Sequence, residues 1–345
     1  MRIDSLNKFE KKVLRGSITE YNESLTDDSI NQAYHTKIIK KNDNSERTLQ
    51  CIDSNHDIYK IQKKLKNNFF DFIPLSNHAY GYVKGKSYYD YLTPHIKKKF
   101  YLRLDIKDFF NSIKEKKLRE VIEYDIDNIK INEDTTLVDF LIKTVTFNGS
   151  LPQGAVTSPV LSNMVFRVLD IRISRYCRKF GIEYSRYVDD LLFSSNDLLI
   201  HKKVFTNGIT KILKSQGFYL NHNKLRKSKD EISLNGFVVG SEIRLSRKKT
   251  ALLSALIFCY QNTQKKTFDN LSTEFKKHFG IDNEKIINAD RLHNYLAGYR
   301  SFLLGLLPFD SVGVLPDNMT KINQKYLIKI NEIEKLLKLT SKEMN

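Results

Sequence analysis

Three aspartates lie within strand-like sequence, which is an unusual place for charged side chains. Asp105 lies near the end of an alternating apolar run at residues 100–107, and Asp189 and Asp190 stand between two short strand-like runs. Carboxylates brought together repel one another unless protons or cations intervene. With no His or Cys close by in the sequence, these hard oxygen donors favour Mg²⁺. Two such ions about 3.5–4 Å apart can activate a hydroxyl and stabilise a leaving pyrophosphate. The competing interpretation of Asp189 and Asp190 is an ordinary polar turn.

The net charge indicates the kind of partner. The 345 residues include 57 Lys and Arg against 40 Asp and Glu, a formal charge of +17. An excess of this size suits a polyanion, most often nucleic acid. A biased genome that favours Lys, Asn and Ile is the alternative explanation.

Composition excludes several other classes of protein. A hydrophobic content of 41% is too high for a disordered chain, and three well-separated cysteines make neither a disulfide framework nor a zinc site. No apolar run approaches the roughly 18 residues of a membrane span, and the charged N-terminus is unlike a signal peptide. We therefore expect a folded, soluble, cytoplasmic protein with no membrane segment.

The elements that would position the aspartates follow from hydrophobic periodicity. Strand-like runs cover 34–39, 47–52, 100–107, 183–188, 191–194, 232–239 and 242–246. Helical spacing covers 114–124, 135–147, 201–216 and much of the last hundred residues. The first two strands are expected to form a hairpin across 41–45, and Asp189 and Asp190 to form the tip of another. Ser158 is expected to cap a further helix, with Pro159 at its first position. Mixed helices and antiparallel hairpins indicate an α+β fold.

Three motifs, in this order, resemble those of reverse transcriptases. Residues 104–110 (LDIKDFF) are similar to the first palm motif, 151–159 (LPQGAVTSP) to L-P-Q-G-x-x-x-S-P, and 187–190 (YVDD) to the Y-x-D-D box. The resemblance is strongest to bacterial retron-type and related phage-defence enzymes. Residues 109–113 (FFNSI) are like their F-F-x-S-I, and 78–87 (HAYGYVKGKS) are like their A-H-G-F-x-x-G-x-S with the first two residues exchanged. Where retrons usually carry V-T-G, this chain has 234–236 (LNG).

The resemblance implies a right-hand polymerase with an antiparallel-sheet palm. Residues 1–104 would form the fingers and N-terminal region, and 105–246 the palm, with a fingers insertion at about 114–150. Residues 247–345 would form a helical thumb.

The resemblance also implies an activity and partners. The chain would be an RNA-directed DNA polymerase that extends a primer with dNTPs, using two Mg²⁺ ions or Mn²⁺ in their place. A structured non-coding RNA would be the template and DNA the product, in bacterial anti-phage defence and with an effector or partner protein. The alternatives are an intron-type enzyme, for which the chain is short, an untemplated or protein-primed DNA synthesiser, and a non-catalytic RNA-binding scaffold derived from a polymerase.

The resemblance assigns the catalytic and metal-binding residues. Asp105, Asp189 and Asp190 would be catalytic, and together with Ile106 they would form the metal site. Asp189 is expected to be the fuller ligand beside Asp105, and Asp190 the looser one.

Other residues would bind nucleotide or nucleic acid. Phe110 would be a steric gate against a ribose 2′-hydroxyl, or a core residue. Gln153 and Gly154 would contact the nucleotide, or serve only as the helix entry. Lys224 would protonate the pyrophosphate or support it electrostatically. The remaining candidates are Arg47 and Lys40 for the triphosphate, and Lys84, Lys86, Arg291 and Arg300 for nucleic acid, with Tyr295 and Tyr299 stacking or belonging to the core.

Overall fold

The chain forms two compact units, Met1–Ile232 and Ser233–Asn345. The computed structural model describes residues 3–40, 46–126, 129–280, 284–309 and 313–344. The boundary between the units falls inside the range predicted for the palm. The predicted turn at 41–45 lies outside the described residues.

Nine strands form three sheets within the described residues. They are β1 (Tyr34–Lys40), β2 (Glu46–Ile52), β3 (Phe100–Asp105), β4 (Glu183–Tyr187), β5 (Asp190–Ser195), β6 (Arg226–Lys229), β7 (Ile232–Leu234), β8 (Phe237–Val239) and β9 (Ile243–Leu245). β1 and β2 pair as an antiparallel hairpin, and the larger sheet has the order β4-β5-β3-β6. The third sheet has the order β7-β8-β9. The antiparallel pairing of the four-stranded sheet confirms the predicted α+β class.

The described helices precede, interrupt and follow these strands. Those of the first unit are α1 (Leu6–Phe9), α2 (Ile18–Ser24), α3 (Asp27–Ala33), α4 (Asp57–Asn68), α5 (Tyr88–Leu92), α6 (Glu115–Asp125), α7 (Leu137–Val145), α8 (Ser158–Arg178) and α9 (Lys203–Lys214), with a π-helical turn at Glu10–Leu14. Those of the second unit are α10 (Arg247–Asn262), α11 (Phe268–Phe279), α12 (Ala289–Leu304) and α13 (Lys321–Met344). Among the described helices, none is both long and apolar enough to cross a membrane.

Strand β3 is the centre of the four-stranded sheet. It pairs with β5 on one side, placing Asp105 opposite Asp190, and with β6 on the other. Leu102 and Leu104 are buried on one face, as the alternation predicts, but Tyr101 and Asp105 on the opposite face are buried as well. The sheet is therefore covered on both faces around the acidic residues.

Helix α8 runs through the core of the first unit, and Leu161, Phe166 and Leu169 are buried there. The predicted cap at its start is wrong. Ser158 is the first residue of the helix, and its hydroxyl donates a hydrogen bond to the carbonyl of Pro152 at 2.6 Å. Pro159 therefore occupies the second position of the helix. This contact ties the helix to the preceding loop.

The predicted strand at 232–239 is two strands. It breaks at Asn235 and Gly236, whose φ angles are 46° and 88°. Asn and Gly tolerate this left-handed conformation, which ends β7 and begins β8.

His95 is buried within the first unit. Its ring nitrogens lie 2.7 Å from the hydroxyls of Ser194 and Ser185. Burial lowers the pKa of His95 to about 3, so the imidazole is neutral in the folded protein.

Acidification should destabilise the first unit through this histidine. The unfolded state takes up a proton near pH 6.5 and the folded state does not, so stability falls as the pH drops below 6.5. Between pH 6.5 and 5.0 the loss attributable to His95 should be about 2 kcal/mol. Urea titrations at both pH values should show a smaller loss for His95→Gln. The exposed His35→Gln variant should lose as much as the unsubstituted protein; equal losses in all three proteins would contradict the prediction.

Candidate active site

A polar cavity of about 390 Å³ lies in the first unit, where the end of β3 meets the β4–β5 turn. It gathers residues from several predicted motifs, although they are distant in sequence. Six of the predicted site residues line the cavity: Asp105, Ile106, Phe110, Gln153, Asp189 and Lys224. The other described lining residues are Glu46 and Thr48, which belong to the β1–β2 hairpin, and Lys107, Asp108, Phe109, Asn111 and Asn221.

The four-stranded sheet positions the carboxylates of Asp105 and Asp189. Asp105 is the last residue of β3, and Asp189 lies in the turn between β4 and β5. The main-chain N–H of Ile106 donates to the carbonyl of Asp189 at 3.0 Å, which fastens the turn to the end of β3. The Asp105 side chain is 4% exposed, and its Oδ2 accepts a hydrogen bond from the Lys224 ammonium at 2.9 Å.

Asp190 has different surroundings. It is the first residue of β5, and both of its carboxylate oxygens accept hydrogen bonds from the Arg103 guanidinium at 2.6–2.8 Å. Burial raises the pKa of Asp190 to about 6, and Arg103 counteracts part of this rise. Asp190 is not among the described residues that line the cavity. Its expected role as the looser of the two neighbouring ligands stays a prediction.

Phe110 and Gln153 line the cavity beside the carboxylates. The Phe110 ring is largely buried and packs edge-on against Phe109, with 5.4 Å between ring centroids. The carbonyl of Gln153 accepts a hydrogen bond from the N–H of Gln50 in β2 at 2.9 Å. This bond connects the predicted fingers hairpin to the loop before α8.

Gly154 is required for packing against the hairpin. Its φ is +132°, and a Cβ atom there would lie 2.6 Å from the carbonyl oxygen of Gln50. Gly154 is not among the described residues that line the cavity. The close approach that its missing side chain permits is therefore to β2, whereas the sequence suggested an approach to a nucleotide.

The two basic residues predicted to contact the triphosphate both lie on the β1–β2 hairpin, but the structure describes the side chain of Lys40 alone. Lys40 is exposed at the end of β1 and lies opposite Glu46 in the strand register. Arg47 lies opposite Ile39 in the register, but its side chain lies outside the described part of the structure. Their proposed contact with a triphosphate stays a prediction.

Lys84 and Lys86 lie in the basic loop, but they differ in environment. Lys84 is exposed. The Lys86 ammonium instead donates to the carbonyls of Asn77 and Ala79 at 3.0 and 2.9 Å, and lies 4.4 Å from the centroid of the Tyr80 ring. Lys86 thus holds the loop together, a role that the sequence did not suggest.

The thumb candidates lie on α12 in the second unit, as the spacing predicts. Arg291 is exposed, whereas Arg300 donates to Glu334 on α13 at 2.8 and 3.0 Å. Tyr299 is buried, and its hydroxyl donates to the carbonyl of Lys249, so this tyrosine belongs to the core. Tyr295 packs against it, with 5.8 Å between ring centroids. Nucleic-acid contacts by Arg291 and Arg300 stay predictions.

The donors around the cavity fit a hard divalent cation. Asp105 and Asp189 offer carboxylate oxygens, and the Lys224 ammonium already lies against Asp105. Within the described residues, no group of three or more His, Cys, Asp or Glu side chains is arranged to hold a metal by itself. Mg²⁺ commonly binds to one or two carboxylates and completes its shell with water and substrate phosphates.

Replacing Lys224 by Met should lower kcat on the order of 10²-fold, the low end of general-acid effects. Lys224→Arg separates the two roles left open by the sequence. Arginine restores the positive charge but does not release a proton at neutral pH. Recovery of kcat in the Arg variant indicates electrostatic support, and no recovery indicates proton donation. Single-turnover dNTP incorporation measures the effect of both Lys224 variants, with Lys229→Met on β6 as control. Normal turnover by Lys224→Met would show that Lys224 takes no part in the reaction.

Comparison with known proteins agrees with the geometry. The family model described as reverse transcriptase (RNA-dependent DNA polymerase) matches residues 39–239, which is more than half of the chain. The Retron Ec73 reverse transcriptase of Escherichia coli is 28% identical over 290 residues, covering 80% of this chain and 82% of that protein. The Retron Ec86 reverse transcriptase of the same species is 27% identical over 239 residues, covering 67% and 72%. The Retron Ec83 reverse transcriptase is 31% identical over 201 residues, covering 53% and 62%. The chain belongs to the reverse transcriptase family of RNA-dependent DNA polymerases.

Proposed function

We propose that this chain copies a dedicated, structured non-coding RNA into DNA in a retron-like bacterial defence system. The observation that carries the proposal is the single cavity that brings Asp105 and Asp189 together with Phe110, Gln153 and Lys224. The three relatives described above are each named as retron reverse transcriptases, which supports a retron-like template for this chain. The proposed setting is the bacterial cytoplasm, where RNA and dNTPs are available.

Asp105 and Asp189 would hold two Mg²⁺ ions, or Mn²⁺, with Ile106 beside them at the end of β3. Asp190, paired with Arg103, would contribute less. When bound, such ions activate the primer hydroxyl and stabilise the charge that develops on the leaving pyrophosphate.

The remaining side chains would select and orient the nucleotide. Phe110 would lie against the sugar and exclude a 2′-hydroxyl, the group that distinguishes RNA precursors from DNA precursors. Gln153 would hydrogen-bond the sugar or triphosphate. Lys224 would leave Asp105 for the pyrophosphate, because its long side chain is half exposed and can reach into the cavity. Base pairing would read the template, so the protein need recognise only shape and backbone.

Primer extension tests the proposal. The purified protein should incorporate dNTPs in the presence of Mg²⁺ on the RNA that co-purifies with it, and the product sequence should be complementary to that RNA. Products without complementarity would identify an untemplated synthesiser, and product attached to protein would identify a protein-primed one. RNA binding without incorporation on either co-purified or generic template would identify a scaffold.

A further inference from the structure

The turn that carries Asp189 contains a strained residue. β4 ends at Tyr187 and β5 begins at Asp190, so Val188 and Asp189 are the two central residues of the hairpin. Val188 has a φ of 59°, in the left-handed region that glycine normally occupies at this position of a tight hairpin. A β-branched residue resists this conformation, and such strain persists only where the surroundings over-determine it.

Arg186 supplies one of these constraints. Its Nη1 donates to the carbonyl of Val188 and to the amide oxygen of Asn163, both at 3.0 Å. Its Nε and Nη2 donate to the two carboxylate oxygens of Asp170 at 2.9 and 2.8 Å. Both side chains of this ion pair are 0% exposed, and the guanidinium lies 4.5 Å from the centroid of the Phe166 ring. One planar fork thus joins helix α8 to the strained turn.

The 78–87 loop constrains the same turn from a second side. The main-chain N–H of Tyr80 donates to the carbonyl of Arg186 at 2.9 Å, and the main-chain N–H of Arg186 donates to the carbonyl of His78 at 2.7 Å. The Asn163 amide donates to the carbonyl of Gly81 at 2.8 Å. A Cβ atom on Gly81 would lie 2.8 Å from the main-chain nitrogen of Val188. The loop main chain therefore packs directly against the turn, with no room for a side chain.

A completely buried ion pair is costly, and well-packed apolar residues often replace one without loss of stability. Its value here is geometric, since the Arg186 guanidinium bonds the carbonyl of the residue before Asp189. We propose that Arg186, held by Asp170 and Asn163, is a positioning residue that fixes the Val188 conformation and so places Asp189 beside Asp105. This rests on the proposed function in one respect, namely that Asp189 takes part in the reaction.

Arg186→Lys tests the inference because lysine keeps the charge opposite Asp170 but lacks the fork that also reaches Val188. We expect kcat to fall about 10- to 100-fold, the effect of a displacement of roughly 1 Å in a catalytic group. The KM for dNTP should change little. Arg172→Lys, an exposed substitution on helix α8, which also carries Asp170, should leave both constants unchanged.

Amide exchange provides a readout that is independent of turnover. The N–H of Ile106 donates to the carbonyl of Asp189, so it reports directly on the turn. In Arg186→Lys it should exchange faster, while the amides of Leu102 and Leu104 within β3 keep their protection. Faster exchange of all three amides to the same extent would show a merely structural role and overturn the proposal.

Val188→Gly provides the complementary test, because glycine adopts a positive φ without strain. Added to Arg186→Lys, it should recover at least part of the lost kcat, and no recovery would contradict the proposed role.

If Arg186→Lys does not fold, Gly81→Ala presses on the turn without disturbing the ion pair and should give the same Ile106 exchange and kcat effects. An inactive unsubstituted protein would refute the proposed function, whereas normal kcat and Ile106 exchange in folded Arg186→Lys, with Asp189→Asn inactive, would refute this inference alone.

Discussion

Replacing Asp105 or Asp189 by Asn should reduce dNTP incorporation on the order of 10³-fold or more. Both carboxylates line the same cavity, and an amide is a neutral and weaker ligand for a hard cation. The loss corresponds to several kcal/mol of charge stabilisation, at about 1.36 kcal/mol for each factor of ten. Steady-state primer extension across a range of Mg²⁺ concentrations is the measurement.

Asp230→Asn is the matched control. Asp230 is exposed after β6 and has a φ of 64°, which Asn tolerates. The control should extend primers normally, and all three variants should bind RNA as the unsubstituted protein does. Extension at an unchanged rate by either the Asp105 or the Asp189 variant would refute the assignment of that residue.

Phe110→Ala should increase the use of rNTPs relative to dNTPs about 10- to 200-fold, the range that a single steric contact supplies. The ring lies in the cavity wall beside the carboxylates, and its removal leaves space for a 2′-hydroxyl. The ratio of kcat/KM for a matched rNTP and dNTP pair measures the effect.

Phe110→Tyr keeps the ring and should therefore keep the preference for dNTPs. Because Phe110 is largely buried, the Ala variant also loses core packing, and its fraction of folded protein should be determined alongside. An unchanged rNTP/dNTP ratio in folded Phe110→Ala would show that Phe110 is a core residue only.

The parts of the fold that follow a regular apolar period could be predicted from the sequence. The β1–β2 hairpin, β3, α6, α7 and α9 all lie close to their predicted positions. The split between β7 and β8 had a signal in Asn235-Gly236, because this dipeptide between apolar runs favours a hairpin. The cap at Ser158 was wrong because a hydroxyl at a helix start can bond a distant carbonyl as readily as its own first turn.

The candidate site was only partly visible in the sequence. The motifs identified several residues that line the cavity, among them Asp105, Gln153 and Asp189, because the predicted chemistry needs their particular groups. They also included Asp190 and Gly154, which are not among the described lining residues. The charged side chains behind the cavity were missed, since a single arginine in sequence suggests the surface. Arg103 on β3 and Arg186 on β4 pair with Asp190 and Asp170 across the fold, and only tertiary structure brings these partners together.

Strand β6 was not predicted either, and its basic sequence affects how the protein behaves in concentrated solution. Its sequence, RKSK, lacks any apolar alternation, yet it forms one edge of the four-stranded sheet. The opposite edge, β4, bonds the main chain of His78 and Tyr80. An unprotected edge invites strand addition by a second molecule, and lysines along an edge discourage it. The basic residues of β6 interrupt the apolar alternation that would have predicted a strand. The same residues should keep the sheets of neighbouring molecules from joining edge to edge.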